Sequence, residues 1–246
     1  MLRVLHLTDP HLFANPEGAL RGTVTYASLE AVIDHYHRSD WRADLVVVTG
    51  DLIQDDSAQA YEHFRRLLRE LELPVYCLPG NHDIRDFMRA ALSTPPFHYC
   101  ASVEARNWLI VCLDSCVDGS AGGKLGTTEL ERLAELVRTS SAEHVMVCLH
   151  HPLVSTGSLW LDSVGLDNAA EALEQITAHD GVRLSIFGHV HQDLEHEHRG
   201  VRILATPSTC RQFEPRRVTF AVDDNPPAYR RINLRTDGSI DHELVW

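Results

Sequence analysis

The chain has 246 residues, 44% of them apolar and 23% charged, which are ordinary proportions for a soluble protein able to bury one sizeable core. No apolar run is long enough to span a bilayer, which argues against membrane insertion. The formal net charge is −13 and the arginine pairs Arg65-Arg66, Arg216-Arg217 and Arg230-Arg231 never extend into runs, which argues against a protein that grips nucleic acid through a basic face.

The chain begins as a strand, Arg3–Leu7. The N-terminus MLRVLHLTDPH has no charged segment leading into a long apolar stretch, so the expected location is cytoplasmic. A helical pattern follows at Tyr26–Arg38, then a strand at Asp44–Thr49, a helix at Ala58–Leu71, a strand at Val75–Leu78 and a helix at Ile84–Leu92. Pro95-Pro96-Phe97 reads as a loop carrying His98-Tyr99, a segment placed near the mouth of a site or in neutral packing. Beyond it come a strand at Trp108–Leu113, a helix opening with Thr127 as N-cap, a strand at His144–Leu149, a helix over Asn168–Ala178 and a strand at Arg183–Phe187. These apolar runs do not alternate, so both faces of each strand are expected to be covered. From Asp193 onward the pattern changes. Asp193–His198, Val201–Ala205, Val218–Val222, Tyr229–Leu234 and His242–Trp246 read as antiparallel strands, with turns at Arg199-Gly200 and Thr236–Ser239. The predicted fold class is α/β: two packed mixed β-sheets flanked by helices. It is one domain over residues 1–246, with the C-terminal antiparallel strands (about 193–246) completing the second sheet.

Six cysteines include no CxxC pair, so they read as small buried hydrophobes in a reducing compartment. The sixteen histidines are the unusual count, and several fall at strand ends. The first strand ends in Asp9-Pro10-His11 and the second in Gly50-Asp51. The third ends in Gly80-Asn81-His82-Asp83, and later strands end in His150-His151 and Gly188-His189-Val190-His191. Ligands of α/β sheets bind outside the carboxyl ends of strands. Asp and His suit borderline metals, and Asn81 adds a neutral carbonyl oxygen. In an extended chain, Asp9 and His11 would lie on one side and reach one ion. The remaining histidines read mostly as structural. His6 is expected to be packed or to brace a ligand. His196 and His198 are expected on a solvent-facing strand. His151 either contacts substrate or caps its turn.

The ordered set DxH, GD, GNHD, HH, GHxH over residues 9–191 resembles the calcineurin-like metallophosphoesterase superfamily, whose fold is an αββα sandwich. The resemblance implies two metal ions per chain, drawn from iron, manganese, zinc or cobalt. Asp9, His11 and His191 would hold the first ion, Asn81, His150 and His189 the second, and Asp51 would bridge them. His82 would be the catalytic histidine, and Asn81, His82 and His191 would meet the substrate. The stretches GDLIQDDSAQAYEHF, WLDSVGLDNAAEAL and TPSTCRQFEP look more narrowly like the bacterial class III 3′,5′-cyclic-AMP phosphodiesterases. Pro207–Pro215 is the most distinctive of these segments, and Thr209, Arg211 and Gln212 would shape the substrate pocket. Where many superfamily members carry an Asp after the bridging residue, this chain has Gln54 followed by Asp55, and either is open as the support of His82. Trp160, within Ser155–Asp167, is open as a lid, a base-stacking element or a dimer contact.

The implied reaction is hydrolysis of 3′,5′-cyclic AMP to 5′-AMP by in-line attack of a metal-bridging hydroxide, with His82 as general acid. The implied partner is a cyclic nucleotide or another small phosphodiester, with no stable nucleic-acid partner and no membrane; a homodimer is compatible. The rival enzyme reading is a broad phosphodiesterase for glycerophosphodiesters or nucleotide sugars. A non-catalytic, metal-stabilised interaction scaffold is the rival from another class.

Overall fold

Strands with apolar side chains on both faces need cover on both, and the chain supplies it by pairing two sheets back to back. The computed structural model describes residues 1–246. Its elements in chain order are β1 (Leu2–Leu7), β2 (Ala19–Leu20), β3 (Thr23–Val24), α1 (Thr25–Arg38), β4 (Leu45–Thr49), α2 (Ala58–Arg69), β5 (Val75–Leu78), α3 (Arg85–Leu92), β6 (Phe97–Tyr99), β7 (Ser102–Ala105) and β8 (Trp108–Cys112). There follow α4 (Thr127–Thr139), β9 (His144–Cys148), α5 (Leu159–Asp162), α6 (Ala169–Thr177), β10 (Val182–Phe187), β11 (Leu194–His198), β12 (Val201–Ala205), β13 (Gln212–Phe213), β14 (Val222–Asp223), β15 (Tyr229–Leu234) and β16 (Ile240–Val245).

The first sheet has the order β16-β15-β1-β4-β5-β6 and the second β11-β12-β10-β9-β8-β7. In each, four neighbouring strands are parallel: β1, β4, β5 and β6 in the first, and β12, β10, β9 and β8 in the second. Alternate residues of each strand divide between two cores. Val4, Val47 and Leu78 meet Ile110, Met146 and Ile186 between the sheets. Leu5, Val46 and Val48 turn outward beneath Leu29 of α1 and Phe64 of α2. Val111 and Val147 turn outward beneath Leu133 of α4 and Ile176 of α6. Each such aliphatic side chain contributes roughly 1.5–3 kcal/mol when fully buried. The predicted fold class of two mixed sheets flanked by helices is what forms. No helix is long and apolar enough to cross a membrane.

Residues 193–246 do not all complete the second sheet. Only β11 and β12 join it; β15 and β16 return to the first, with Val4 paired to Ile232. The parallel strands extend from β1 on one side only, so the last hairpin covers the edge left bare on the other. Val218–Val222 is not a strand: the short pairing there is β13 with β14, and Val218 is 70% exposed. His98 sits in edge strand β6 rather than a loop, stacked on Tyr76 at 4.7 Å, away from the site. Thr127 is the first residue of α4 and Gly126 precedes it as N-cap, without a side-chain cap bond.

Candidate metal centre

The loops after β1, β4, β5, β9 and β10 meet at one edge of the sandwich. The ligand atoms of Asp9, His11 and His191 lie within 4.8 Å of one another, as do those of Asp9, Asp51 and His150. His11 Nε2 is 3.1 Å from His191 Nε2. Asn81 Oδ1 lies 3.2 Å from His150 Nε2 and 3.0 Å from His189 Nδ1. Asp51 Oδ2 stands between the two groups, 3.7 Å from His11 Nε2 and 3.5 Å from His150 Nε2. All seven expected residues therefore lie together at this edge, with Asp51 close to both His11 and His150.

Proton positions indicate what this cluster accommodates. His191 Nδ1–H donates to the Arg211 carbonyl at 2.5 Å, and His150 Nδ1–H donates to the Thr49 carbonyl at 2.7 Å. Each bond fixes the tautomer and turns the Nε2 lone pair into the site. Those lone pairs face the Asp9 and Asp51 carboxylate oxygens at 3.4 and 3.5 Å. Acceptors so crowded repel unless a positive charge lies among them. The same demand appears in His150: burial opposes its charging, yet the Asp51 carboxylate lifts its pKa to about 9, so a proton on Nε2 takes the place a cation would fill. Burial likewise works against the Asp51 carboxylate, and His150 nevertheless holds its pKa well below the usual range. The donor set of imidazoles, carboxylates and one amide oxygen fits a pair of borderline transition ions.

The backbone that delivers these groups is strained. Asp9, His11, Asp51, His189 and His191 all adopt the left-handed region, with φ of 52, 47, 52, 67 and 50°. Such residues cost on the order of 1–3 kcal/mol each and cluster at functional sites. Asp9 and His11 thus converge through a left-handed turn, not through the alternation of an extended strand. Two glycines make room. Gly50 has φ +93°, and a Cβ there would stand 2.5 Å from His150 Nδ1. A Cβ on Gly188 would stand 2.1 Å from Thr8 Oγ1 and 2.6 Å from Asp9 Oδ2.

His82 stands beside the cluster, half-buried, with its ring edge-on to His11 at 5.0 Å. Its backbone N–H donates to Asp51 Oδ1 at 2.9 Å. Gln54 is the residue that touches its ring: the amide Nε2 lies 3.2 Å from His82 Nδ1, and donation there leaves the ring proton on Nε2. Asp55 is used elsewhere and accepts from the Ala14 N–H. Asp83 accepts from Gly80 N, Leu52 N and Tyr61 Oη, so it ties neighbouring loops together without reaching His82. Burial, reinforced by Asp51, raises its pKa to about 7.

His151 approaches His150 and His189 but both its nitrogens are engaged, Nδ1 with Ser115 Oγ at 2.9 Å and Nε2 with the Ala121 carbonyl at 3.2 Å. It braces the cluster and has no atom left for an ion. His196 is exposed on β11, where His198 pairs with Glu174. Cys210 is packed against Ser208, and burial pushes its thiol up to about 12.

The segment Pro207–Pro215 works differently from expectation. Ser208 Oγ donates to the Asp9 carbonyl, Thr209 N donates to the Thr8 carbonyl, and Gln212 braces the Ser208 backbone. Arg211 acts through its carbonyl on His191, while its side chain pairs with Asp224. Within this segment Phe213, not Thr209, Arg211 or Gln212, lines the pocket, and its ring stacks on His191 with centroids 4.1 Å apart and planes 9° apart. Trp160 and Phe220 meet Phe213 edge to face at 5.3 and 5.2 Å, and Arg21 lies over Phe220 at 4.9 Å. With Leu20 they wall a cavity of about 330 Å³ that opens onto His82, Asn81 and His191. Sequence reasoning missed Arg21, Phe213 and Phe220, because Arg21 is far from the other two in sequence and the irregular loop between β13 and β14 that brings Phe213 and Phe220 together carries no periodic signal.

Comparison with known proteins gives the family. Residues 2–193 match the calcineurin-like phosphoesterase family. A 3′,5′-cyclic adenosine monophosphate phosphodiesterase of Haemophilus influenzae is 35% identical over 99% of this chain and 89% of its own. The protein of that name from Escherichia coli K12 is 37% identical over the same shares. A dimetal phosphatase from Danio rerio shares the fold, with a TM-score of 0.65 and 15% identity over 94% of both chains. The strand-end ligand set, the paired sheets that carry it and the match over residues 2–193 together place the chain in the calcineurin-like phosphoesterase family.

Proposed function

We propose that this chain hydrolyses 3′,5′-cyclic AMP to 5′-AMP with two metal ions drawn from iron, manganese, zinc or cobalt. Relatives carrying that activity in their names match it over nearly their whole length. The observation that carries the reading is the continuity of the ligand cluster with an aromatic cavity of about 330 Å³. A purine offers flat π faces that suit Trp160, Phe213 and Phe220. A glycerol headgroup offers none, which favours the cyclic nucleotide over glycerophosphodiesters.

Asp9, His11 and His191 would hold one ion, Asn81, His150 and His189 the other, and Asp51 both. When bound, the ions would stabilise charge on the phosphoryl oxygens and lower the pKa of a coordinated water to about 7. Two carboxylates against two divalent ions leave a charge of about +2, which suits a singly charged diester. A water that has given one proton to solvent would add its oxygen to phosphorus as the P–O3′ bond breaks, and that proton balances the one His82 gives to O3′. His82 lines the cavity; as the imidazolium, with the Gln54 amide turned to put its oxygen on Nδ1–H, it would donate Nε2–H to the departing O3′ and be left neutral. Gln54 holds the ring for that transfer. Asn81 and His191 line the same cavity and would contact the phosphate.

The test is hydrolysis of cyclic AMP by protein supplied with manganese, with bis-p-nitrophenyl phosphate as comparison and the product identified. Turnover of cyclic AMP to 5′-AMP at least matching the artificial diester is expected. Good cleavage of the artificial diester with negligible cyclic AMP turnover would overturn the substrate and leave a broad phosphodiesterase.

A further inference from the structure

A line of buried polar side chains runs from the ligand cluster through the interior between the sheets. Thr8 Oγ1 donates to Asp9 Oδ2 at 2.5 Å, and Thr49 Oγ1 lies 2.8 Å from Thr8 Oγ1. His6 Nε2 lies 2.8 Å from Thr49 Oγ1, and His6 Nδ1 lies 2.8 Å from Thr206 Oγ1. Arg230 Nε donates to Thr206 Oγ1 at 3.1 Å. The guanidinium also reaches Asp193 at 2.5 Å, the Ala205 carbonyl at 2.8 Å and His242 Nδ1 at 2.9 Å. His6, Thr8, Thr49 and Thr206 are 0% exposed and Arg230 is 2% exposed, so no solvent competes for these bonds.

The two ends fix the direction of every bond. A carboxylate only accepts and a guanidinium only donates. With its one proton given to Asp9, Thr8 must accept from Thr49. Thr49 must then accept from His6, which puts that ring's proton on Nε2. His6 Nδ1 then accepts from Thr206, which accepts from Arg230. Burial, reinforced by Arg230, lowers the His6 pKa to about 3, so the ring is neutral as this pattern requires.

We infer that Arg230 is a positioning residue for the metal centre, acting on Asp9 through the relay Thr206–His6–Thr49–Thr8. The inference rests on the reading of Asp9 as a ligand of the first ion. The His189 N–H meets both Asp9 oxygens at 3.1 Å, whereas the relay engages Oδ2 alone and leaves Oδ1 turned toward His191 Nε2 at 3.4 Å and His11 Nε2 at 4.0 Å. Bonds polarised in one direction from a cation strengthen one another and hold the acceptor in one orientation. The relay also crosses between the sheets, with Arg230 on β15 of the first and Thr206 just after β12 of the second.

The test uses full-length protein loaded with manganese and dialysed against graded chelator, with ions per chain and melting temperature measured together. Thr206→Val keeps the shape of the side chain and removes both bonds at the Arg230 end of the relay. It should release one of two ions at about tenfold lower chelator and leave the other unmoved. Thr206→Ser should restore the wild-type profile, and Thr49→Val, nearer the metal, should repeat the one-ion weakening. Retention of both ions by Thr206→Val and Thr49→Val would overturn the relay. So would parallel loss of both ions in step with the melting temperature, because that marks a packing role alone. An Asp9→Asn chain that holds two ions as wild type would instead remove Asp9 as a ligand, and the inference with it. None of these readings uses substrate, so they stand apart from the cyclic AMP test.

Discussion

Replacing His82 by alanine separates metal binding from proton transfer. The Asp51 Oδ1 contact comes from the His82 backbone N–H, which alanine keeps. The ring itself bonds only Gln54 and lies edge-on to His11. The variant should therefore hold two ions per chain by elemental analysis. Loss of a general acid lowers turnover by roughly 10²–10⁴-fold, or about 3–5 kcal/mol of barrier. That loss should appear with cyclic AMP, whose leaving group is a sugar alkoxide. It should be far smaller with bis-p-nitrophenyl phosphate, whose acidic leaving group needs no proton. Steady-state kcat for both substrates, with metal content measured on the same samples, decides the matter. An equal loss on both substrates, or full cyclic AMP turnover, would refute the acid role.

Other outcomes follow from the same geometry. Asp51→Asn should lose bound metal along with rate, and full occupancy by elemental analysis would contradict its position between the two ligand sets. Trp160→Ala should raise KM for cyclic AMP about tenfold, within the 1–3 kcal/mol of one base–aromatic contact, while inhibition by inorganic phosphate stays unchanged. Gly188→Ala places a Cβ 2.1 Å from Thr8 Oγ1 and 2.6 Å from Asp9 Oδ2, and should lower stability by about 1–3 kcal/mol in a thermal melt and weaken one ion. His6 has a folded pKa of about 3, depressed by burial and then by Arg230, against 6.5 when unfolded. The unfolded chain therefore binds the extra proton, and stability present above pH 6.5 is lost as pH falls toward 3, by on the order of a few kcal/mol. His6→Gln keeps a donor and an acceptor without titrating, and should flatten that part of the denaturation profile against pH.

Sequence by itself determined the two-sheet class and a list of candidate ligand residues. Apolar runs without alternation, such as Leu45–Thr49 and His144–Cys148, demand cover on both faces, and each ends in a metal-type side chain or leads directly to one. Local order was enough to list Asp9, His11, Asp51, Asn81, His82, His150, His189 and His191 on strand ends. Tertiary structure decided what adjacency in space alone can decide. The left-handed backbone at five of these residues depends on loops packed against one another, and single-residue propensities do not encode it. Gln54 rather than Asp55 meets His82 because the loop after β4 turns Asp55 back to Ala14. Phe213 and Phe220 flank an irregular loop, and only its folding over Trp160 makes them one wall. Arg230 and Asp9 are more than two hundred residues apart, and their connection exists only because the last hairpin pairs with β1 and brings a guanidinium beside Thr206.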